Sequence, residues 1–354
     1  MGGERTEEDL RRLNRTPTLC RAGAPCPGRT PATEYWGIRN KMASATVTTS
    51  LHSVQPERQH SKTGLLEDER WFATALLFPT AVLLALFIAY PFFEGIWLAL
   101  TDTRVGVPGH FVGLKNFEKV WNDSIFRTAV WNTCWYTFVT TVFKLILGLW
   151  LAQLLNRNFK GKAWVRAFIL LPFIIPTVLS TFAWKWMFDP TFSVLNWMLF
   201  HLGFITTRIN WLGEPDLAFA SVIVVNIWRG LPFYAISLLA GLQTISPELQ
   251  EAAAIDGANA WQRFKHITWP LLLPVTMVVT LFSVIQTFAD FQLVYVLTGG
   301  GPANATHLFA TYAYQIGVGT GLLSEGAAIS LAIFPVLFVV VLLQLIYIRR
   351  VEIR

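Results

Sequence analysis

Polar and apolar positions along this chain fall into long blocks rather than short alternations. Six blocks approach the about 20 mostly apolar residues that a helix needs to cross roughly 30 Å of hydrocarbon. They predict membrane-spanning helices over residues 72–93, 128–155, 167–188, 217–239, 271–297 and 327–348. Blocks of that length without strict alternation do not fit the strands of about 10 residues that build a β-barrel, so the expected fold is all-α and polytopic. Residues 1–70 are different material, rich in Arg, Pro and Thr with no apolar block. Such a stretch cannot bury enough surface to offset the entropy of ordering it, and it reads as a disordered tail. Between the fourth and fifth blocks lies a segment of a third kind, ELQEAAAIDGANAWQRFKHITWPLLLP (248–274), which opens with acids and closes with bases.

Composition agrees with the pattern: 53% of the 354 residues are hydrophobic and 14% charged, against about 25% charged in soluble domains. The formal charge of +6 does not indicate nucleic-acid binding, because most bases flank spans instead of gathering on one water-facing domain. Their distribution sets orientation instead, since Lys and Arg concentrate in cytoplasmic loops. Arg58, Lys62 and Arg70 precede the first span; Arg157, Lys160, Lys162 and Arg166 follow the second; Arg349, Arg350 and Arg354 follow the sixth. Of the opposite loops, 190–216 holds only Arg208 and 298–325 holds no Lys or Arg, although 101–127 holds four. Both termini and the 248–274 segment are therefore expected on the cytoplasmic side of a cell membrane. No secretory signal is expected before Trp71, so the first span would serve as the insertion signal. Met42 opens MASATVTT, an ordinary start, and residues 1–41 are read as a possible over-long beginning. Cys20, Cys26 and Cys134 have no CxxC spacing, and the six histidines form no HExxH motif. Neither a disulfide framework, a metal site nor a catalytic constellation is expected.

In the 248–274 segment, Ser246 can cap a helix that has Pro247 at its first position and Glu248 and Glu251 near its positive end. Leu249, Ala252, Ala253 and Asp256 fall at i, i+3, i+4 and i+7, giving a narrow face of mostly small residues. Gly257 can end that helix in the left-handed conformation. Asn259 and Gln262 then have capping-box spacing for a second helix, followed by Arg263, Lys265 and His266. The prediction is two short helices hinged at a glycine on the cytoplasmic face, with an alanine patch where another backbone can come close.

Glu251-Ala252-Ala253, Asp256-Gly257-Ala258, Phe264, Ile267 and Pro270 resemble the EAA motif of permease subunits of binding-protein-dependent ATP-binding-cassette importers. IWRGLPFYAISLLAGLQTISPEL (227–249) and FADFQLVYVLTGGGP (288–302) resemble the carbohydrate-uptake branch of that family, the maltose and glycerol-3-phosphate permease type. Weaker similarity reaches back to about Trp71. One departure is Trp269, where the family usually has Leu before the proline. The resemblance implies the six-helix type I importer permease arrangement. It implies a docking role toward a cytoplasmic ATPase for Glu251, Ala252, Ala253, Asp256, Gly257, Ala258 and Phe264. It also implies a second homologous permease, an extracytoplasmic solute-binding protein, and a sugar or related polyol as cargo. The chain has no GxxxxGK[ST] phosphate loop, so no cofactor is expected on it and ATP would be used by the partner.

Charges inside spans are costly and mark candidate functional positions. Lys144, Lys185, Arg229 and Asp290 qualify. Lys185 and Arg229 are expected to snorkel from span ends. Lys144 is either paired across the bundle or nearer a span end than these boundaries place it, and the sequence leaves both open. Asp290, placed in the fifth span, is a candidate pathway residue, with Gln286, Trp228, Asn226 and Tyr295 as polar and aromatic companions suited to a sugar. The rival reading is a secondary transporter or channel for a small polar solute, which would be expected to have repeated halves and to need no docking helix. TGGGP (298–302) reads as a tight outer loop.

Overall fold

The computed structural model describes residues 69–352. The predicted tail, Cys20, Cys26 and the candidate start at Met42 lie outside the described residues. One compact unit runs from Ala73 onward. Among the described residues the regular structure is helical, with two isolated bridges, Thr101 to Phe111 and Arg104 to Val107, as the only β pairing.

The first span is α1 (Glu69–Leu84), a π turn (Ala85–Ala89) and α2 (Tyr90–Ala99), an unbroken apolar column from Ala73 to Ala99 that runs six residues past the predicted end. After a short α3 (Lys115–Asn122) comes α4 (Ser124–Asn156), which has Asp123 as N-cap. Its 33 residues give about 50 Å at 1.5 Å per residue, more than the roughly 30 Å of hydrocarbon. The fourth predicted span is α8 (Pro215–Gln243), which lies along α4 and packs Tyr234 and Leu238 against Ala152 and Leu155. Gly148 of α4 sits so close to Tyr234 that a β-carbon there would come within 2.5 Å of that residue.

Three expectations need correction. The block at 167–188 is not one straight span: α5 (Lys162–Ile174) and α6 (Thr177–Met187) meet at a 94° elbow. Pro176 causes it, since a residue before proline is pushed out of the helical region, and Ile175 accordingly has ψ 130°. The fifth span stops at Phe288 instead of 297; after α9 (Pro247–Ile255), α10 (Ala260–Arg263) and a π turn (Phe264–Thr268), α11 covers Trp269–Phe288 and a separate α12 covers Gln292–Leu297. The sixth is interrupted at Ile333, between α14 (Leu323–Ala332) and α15 (Phe334–Glu352). Two short helices between the spans, α7 (Val194–His201) and α13 (Phe309–Tyr314), complete the set among the described residues.

The apolar core divides into three clusters. One gathers Leu155, Tyr234, Leu238 and Leu272; a second Tyr136, Val222, Leu293 and Leu308; a third Phe126, Phe288, Phe309 and Ile329. On α4 the second cluster ends at Tyr136 and the first resumes with Ala152, and on α8 the same change falls between Val225 and Tyr234. Most of the buried residues in that gap are polar.

Candidate functional site

The gap holds Lys144 of α4, Asn226 and Arg229 of α8, Thr287 of α11 and Asp290. Asp290 lies just beyond the end of α11, in the break before α12, and not inside a continuous fifth span. Lys144 is 3% exposed and Asp290 5%, so neither charge rests on bulk water. Lys144 Nζ donates to Asn226 Oδ1 at 3.0 Å and to Thr287 Oγ1 at 2.8 Å, which resolves the open alternative in favour of pairing across the bundle. Asn226 Nδ2 donates in turn to Asp290 Oδ2 at 2.9 Å, and Tyr136 Oη donates to the same oxygen at 2.9 Å.

Arg229 does not snorkel. Its Nη2 lies 3.3 Å from Asp290 Oδ2 as an ion pair, and its Nη1 donates to Thr177 Oγ1 at 3.0 Å. Thr177 is the first residue of α6, so this side chain ties the elbow to α8 and to the end of α11. Burying such charges is costly unless each is paired and hydrogen-bonded, and the network meets that condition for Asp290. The stem of Lys144 reaches inward because position 230 is glycine: a β-carbon there would lie 2.6 Å from Lys144 Cδ.

Beside the network opens a cavity of about 300 Å³, lined by Lys144, Arg229, Gln286 and Ser283 on its polar side. Phe173, Phe233 and Phe282 form an aromatic wall, with ring centres 6.0 Å apart for the first pair and 5.2 Å for the second. Of the candidate pathway residues, Asp290 and Asn226 join the network and Gln286 lines the cavity. Trp228 packs instead against Trp184 at 5.5 Å, and Tyr295 stacks on Phe291 at 5.0 Å and meets Tyr314 edge-on at 5.1 Å, both away from that lining. Lys185 is exposed and donates to the carbonyl of Val296, as expected of a side chain near a span end. Tyr136, Thr177 and Thr287 were not foreseen. A signal existed for the first: Asn132, Tyr136, Thr140 and Lys144 recur every four residues, with Thr133, Thr137 and Thr141 beside them, a buried polar stripe along α4.

The second candidate element is the helix pair at 247–268. Ser246 Oγ accepts from the Glu248 amide at 3.3 Å with Pro247 in the first turn. The first helix ends in a Schellman motif, the Ala258 amide reaching Ala253 O and the Gly257 amide reaching Ala254 O, with Gly257 at φ +82°. Asn259 and Gln262 form the reciprocal capping box at 2.9 and 2.8 Å. Glu251, Ala252, Asp256 and Gly257 are exposed, while Ala253, Ala258 and Phe264 are half-buried. Phe264 stacks on Trp261 and reaches Trp269 at 6.3 Å, so the unusual tryptophan before Pro270 extends an aromatic patch at the root of α11. Ile255 is 87% exposed, a large apolar side chain presented outward at the hinge. Behind the pair runs a groove of about 730 Å³ that includes Arg157, Glu251 and Arg263.

A membrane-spanning helical bundle with an exposed, glycine-hinged helix pair between its spans is the arrangement of an importer permease. Residues 144–353 match the family described as binding-protein-dependent transport system inner membrane component, and the chain belongs to that family. It is a permease subunit and not an enzyme. The trehalose/maltose transport system permease protein MalF of Thermococcus litoralis is 36% identical over 278 residues, 78% of this chain and 93% of the relative. The sulfoquinovosyl glycerol transport system permease protein SmoG of Agrobacterium fabrum is 36% identical over 283 residues, 79% of this chain and 91% of the relative. In three dimensions the chain is similar to a subunit in the crystal structure of a bacterial transporter that imports the acidic polysaccharide alginate. That likeness has a TM-score of 0.70 and 25% identity, over 79% of this chain and 96% of that one.

Proposed function

We propose that this permease forms half of a translocation pathway for a sugar or related polyol, with a second homologous permease supplying the other half. A cytoplasmic ATPase dimer docks on the helix pair at 247–268, and an extracytoplasmic solute-binding protein delivers the cargo. The observation that carries the docking assignment is the exposed helix pair itself. It is rigidly capped at both starts, hinged at Gly257, and presents Glu251, Ala252 and Ile255 outward from a chain whose neighbouring surfaces are spans. ATP-driven closure of the motor would move such an element as a body and rock the attached helices between inward-open and outward-open states.

The saccharide assignment draws support from the relatives, whose names refer to trehalose and maltose, to sulfoquinovosyl glycerol and to alginate. The second permease draws support from burial. None of the most apolar stretch of the first span is buried within the chain, and only 6% of that of the last, so these faces are free for lipid or another subunit. Asp290, Asn226 and Gln286 are assigned to the pathway, with both termini on the cytoplasmic side.

Cysteine placed at Ala253 in the assembled transporter tests the docking. Crosslinks to the ATPase, and loss of uptake when its gene is deleted, are the expected results. Uptake that survives the deletion would sink the assignment and return the secondary-transporter reading.

A further inference from the structure

The ionisable groups that line the cavity are one-sided. Lys144 and Arg229 line it, no Asp or Glu does, and the neighbouring Asp290 turns one oxygen to three donors, Tyr136, Asn226 and Arg229. A guanidinium has five N–H donors and an ammonium three. Arg229 commits two of its donors, to Thr177 and Asp290, and Lys144 commits two, to Asn226 and Thr287. Arg229 thus keeps three N–H donors uncommitted on the polar side of the cavity and Lys144 at most one, with no carboxylate in the lining to take them. Opposite them stands the wall of Phe173, Phe233 and Phe282. An aromatic face accepts the C–H side of a sugar ring, and a planar guanidinium favours a carboxylate, sulfonate or phosphate over a hydroxyl. The volume, about 300 Å³, is at the lower end of the about 300–1,000 Å³ of ligand pockets, enough for one ring.

We propose that the cargo carries an anionic group, and that Arg229, assisted by Lys144, selects it as the sugar ring rests on the phenylalanine wall. This rests on the reading of the polar layer as part of the saccharide pathway. The anion takes the uncommitted guanidinium donors in charge-assisted hydrogen bonds. A neutral sugar accepts from the same donors without that gain and binds less well.

The test uses the complete permease–ATPase complex in nanodiscs without the binding protein, so that the cavity alone discriminates. Glucuronate, sulfoquinovose, glucose 6-phosphate and glucose are titrated by calorimetry. At least one of the three anions should bind about tenfold or more tightly than glucose, and the one that does identifies the anionic group. Arg229→Gln should collapse the ratio toward one and Arg229→Lys should retain part of it, each in complexes that keep the elution profile of the native assembly. Glucose binding as tightly as every anion overturns the proposal and leaves the pathway reading standing; that outcome points to an acidic residue of the second permease as the neutralising group. A preference that survives Arg229→Gln also overturns it. Absence of saturable binding by all four probes, with ATP hydrolysis intact, overturns the saccharide pathway and the proposal together.

Discussion

Replacing Asp290 with Asn asks the polar layer to hold its cations without its acid. Asparagine has nearly the same size, so packing is preserved and the change is electrostatic. In the native chain Oδ2 accepts from Tyr136 Oη and Asn226 Nδ2 at 2.9 Å each and from Arg229 Nη2 at 3.3 Å. Hydrogen bonds between helices in a bilayer are worth only about 0.6 kcal/mol on average, so weakening the two neutral contacts costs about 1 kcal/mol. Removing one partner of a buried ion pair costs more, roughly 3–5 kcal/mol, because a charge is left uncompensated. The Arg229 side chain is 23% exposed, which lets water offset part of that and sets the expectation near the lower bound.

About 3 kcal/mol is therefore expected for Asp290→Asn, read as the shift in an SDS-titrated unfolding curve of the purified permease. The decisive measurement is the double variant. Asp290→Asn with Arg229→Gln removes both ends of the pair, so it should be less destabilised than the sum of the single changes by about 2 kcal/mol, Lys144 still being unmatched. A coupling below about 0.5 kcal/mol would refute the claim that charge, and not shape, holds this layer. Uptake should fall in Asp290→Asn with ATPase assembly intact, and unchanged uptake would remove the residue from the pathway.

Gly257→Val puts a branched side chain at φ +82° with no neighbour within 4 Å of the new β-carbon. The cost is therefore backbone strain alone, about 1–2 kcal/mol, and it should appear as weaker binding of the purified ATPase, with Gly257→Asn milder. Gly300→Ala meets both obstacles, φ +93° and a β-carbon 2.0 Å from the His307 ring, so faster proteolysis of the 298–308 loop is expected, while native-like resistance would argue against the packing. His307 is 1% exposed in that loop, and burial holds its pKa below the ordinary value. Unfolding restores the ordinary value of about 6.5, so below that pH the opened loop binds more protons than the folded one and loop stability falls; above it the contribution is fully present. Protection of the loop amides, taken as exchange relative to the intrinsic rate at each pH, should fall between pH 7 and about 5 in the native chain and not in His307→Gln.

Much of this architecture was legible because a bilayer imposes few solutions: apolar length finds spans, and cap chemistry finds the helix pair between the fourth and fifth of them. Ser246, Gly257, Asn259 and Gln262 each act locally, within four residues, and such effects survive whatever the rest of the chain does. The elbow at Ile175 was less legible. The block 167–188 is mostly apolar, and hydropathy is blind to direction; only Pro176, taken with the constraint it places on its predecessor, foretells the turn. The end of the fifth span was misjudged for a related reason. Asp290 sits in an apolar string, FADFQLVYVL, that reads as membrane although the helix has already stopped at Phe288. Arg229 was set at a span end when it lies inside α8, and its partner is 61 residues away in sequence. Pairings of that separation are fixed by tertiary packing, which one sequence does not expose.

The placement of Asp290 in a break, and not within a helix, bears on how the layer can move. A side chain inside a rigid helix moves only with that helix, whereas one in the turn between α11 and α12 can follow either as they separate. Arg229 holds that turn to Thr177 at the elbow, so the ion pair joins two irregular points of the bundle across α8, the helix that runs down toward the capped pair at 247–268. Backbone irregularity at membrane depth is tolerated where it lines a cavity or is buried in protein, and both breaks border the polar layer here. A displacement of the 247–268 pair passed along α8 would reach the Arg229 bridge before the loops at the far end of that helix. The bridge is thus the position at which a movement of the 247–268 pair and a change in the polar layer would meet.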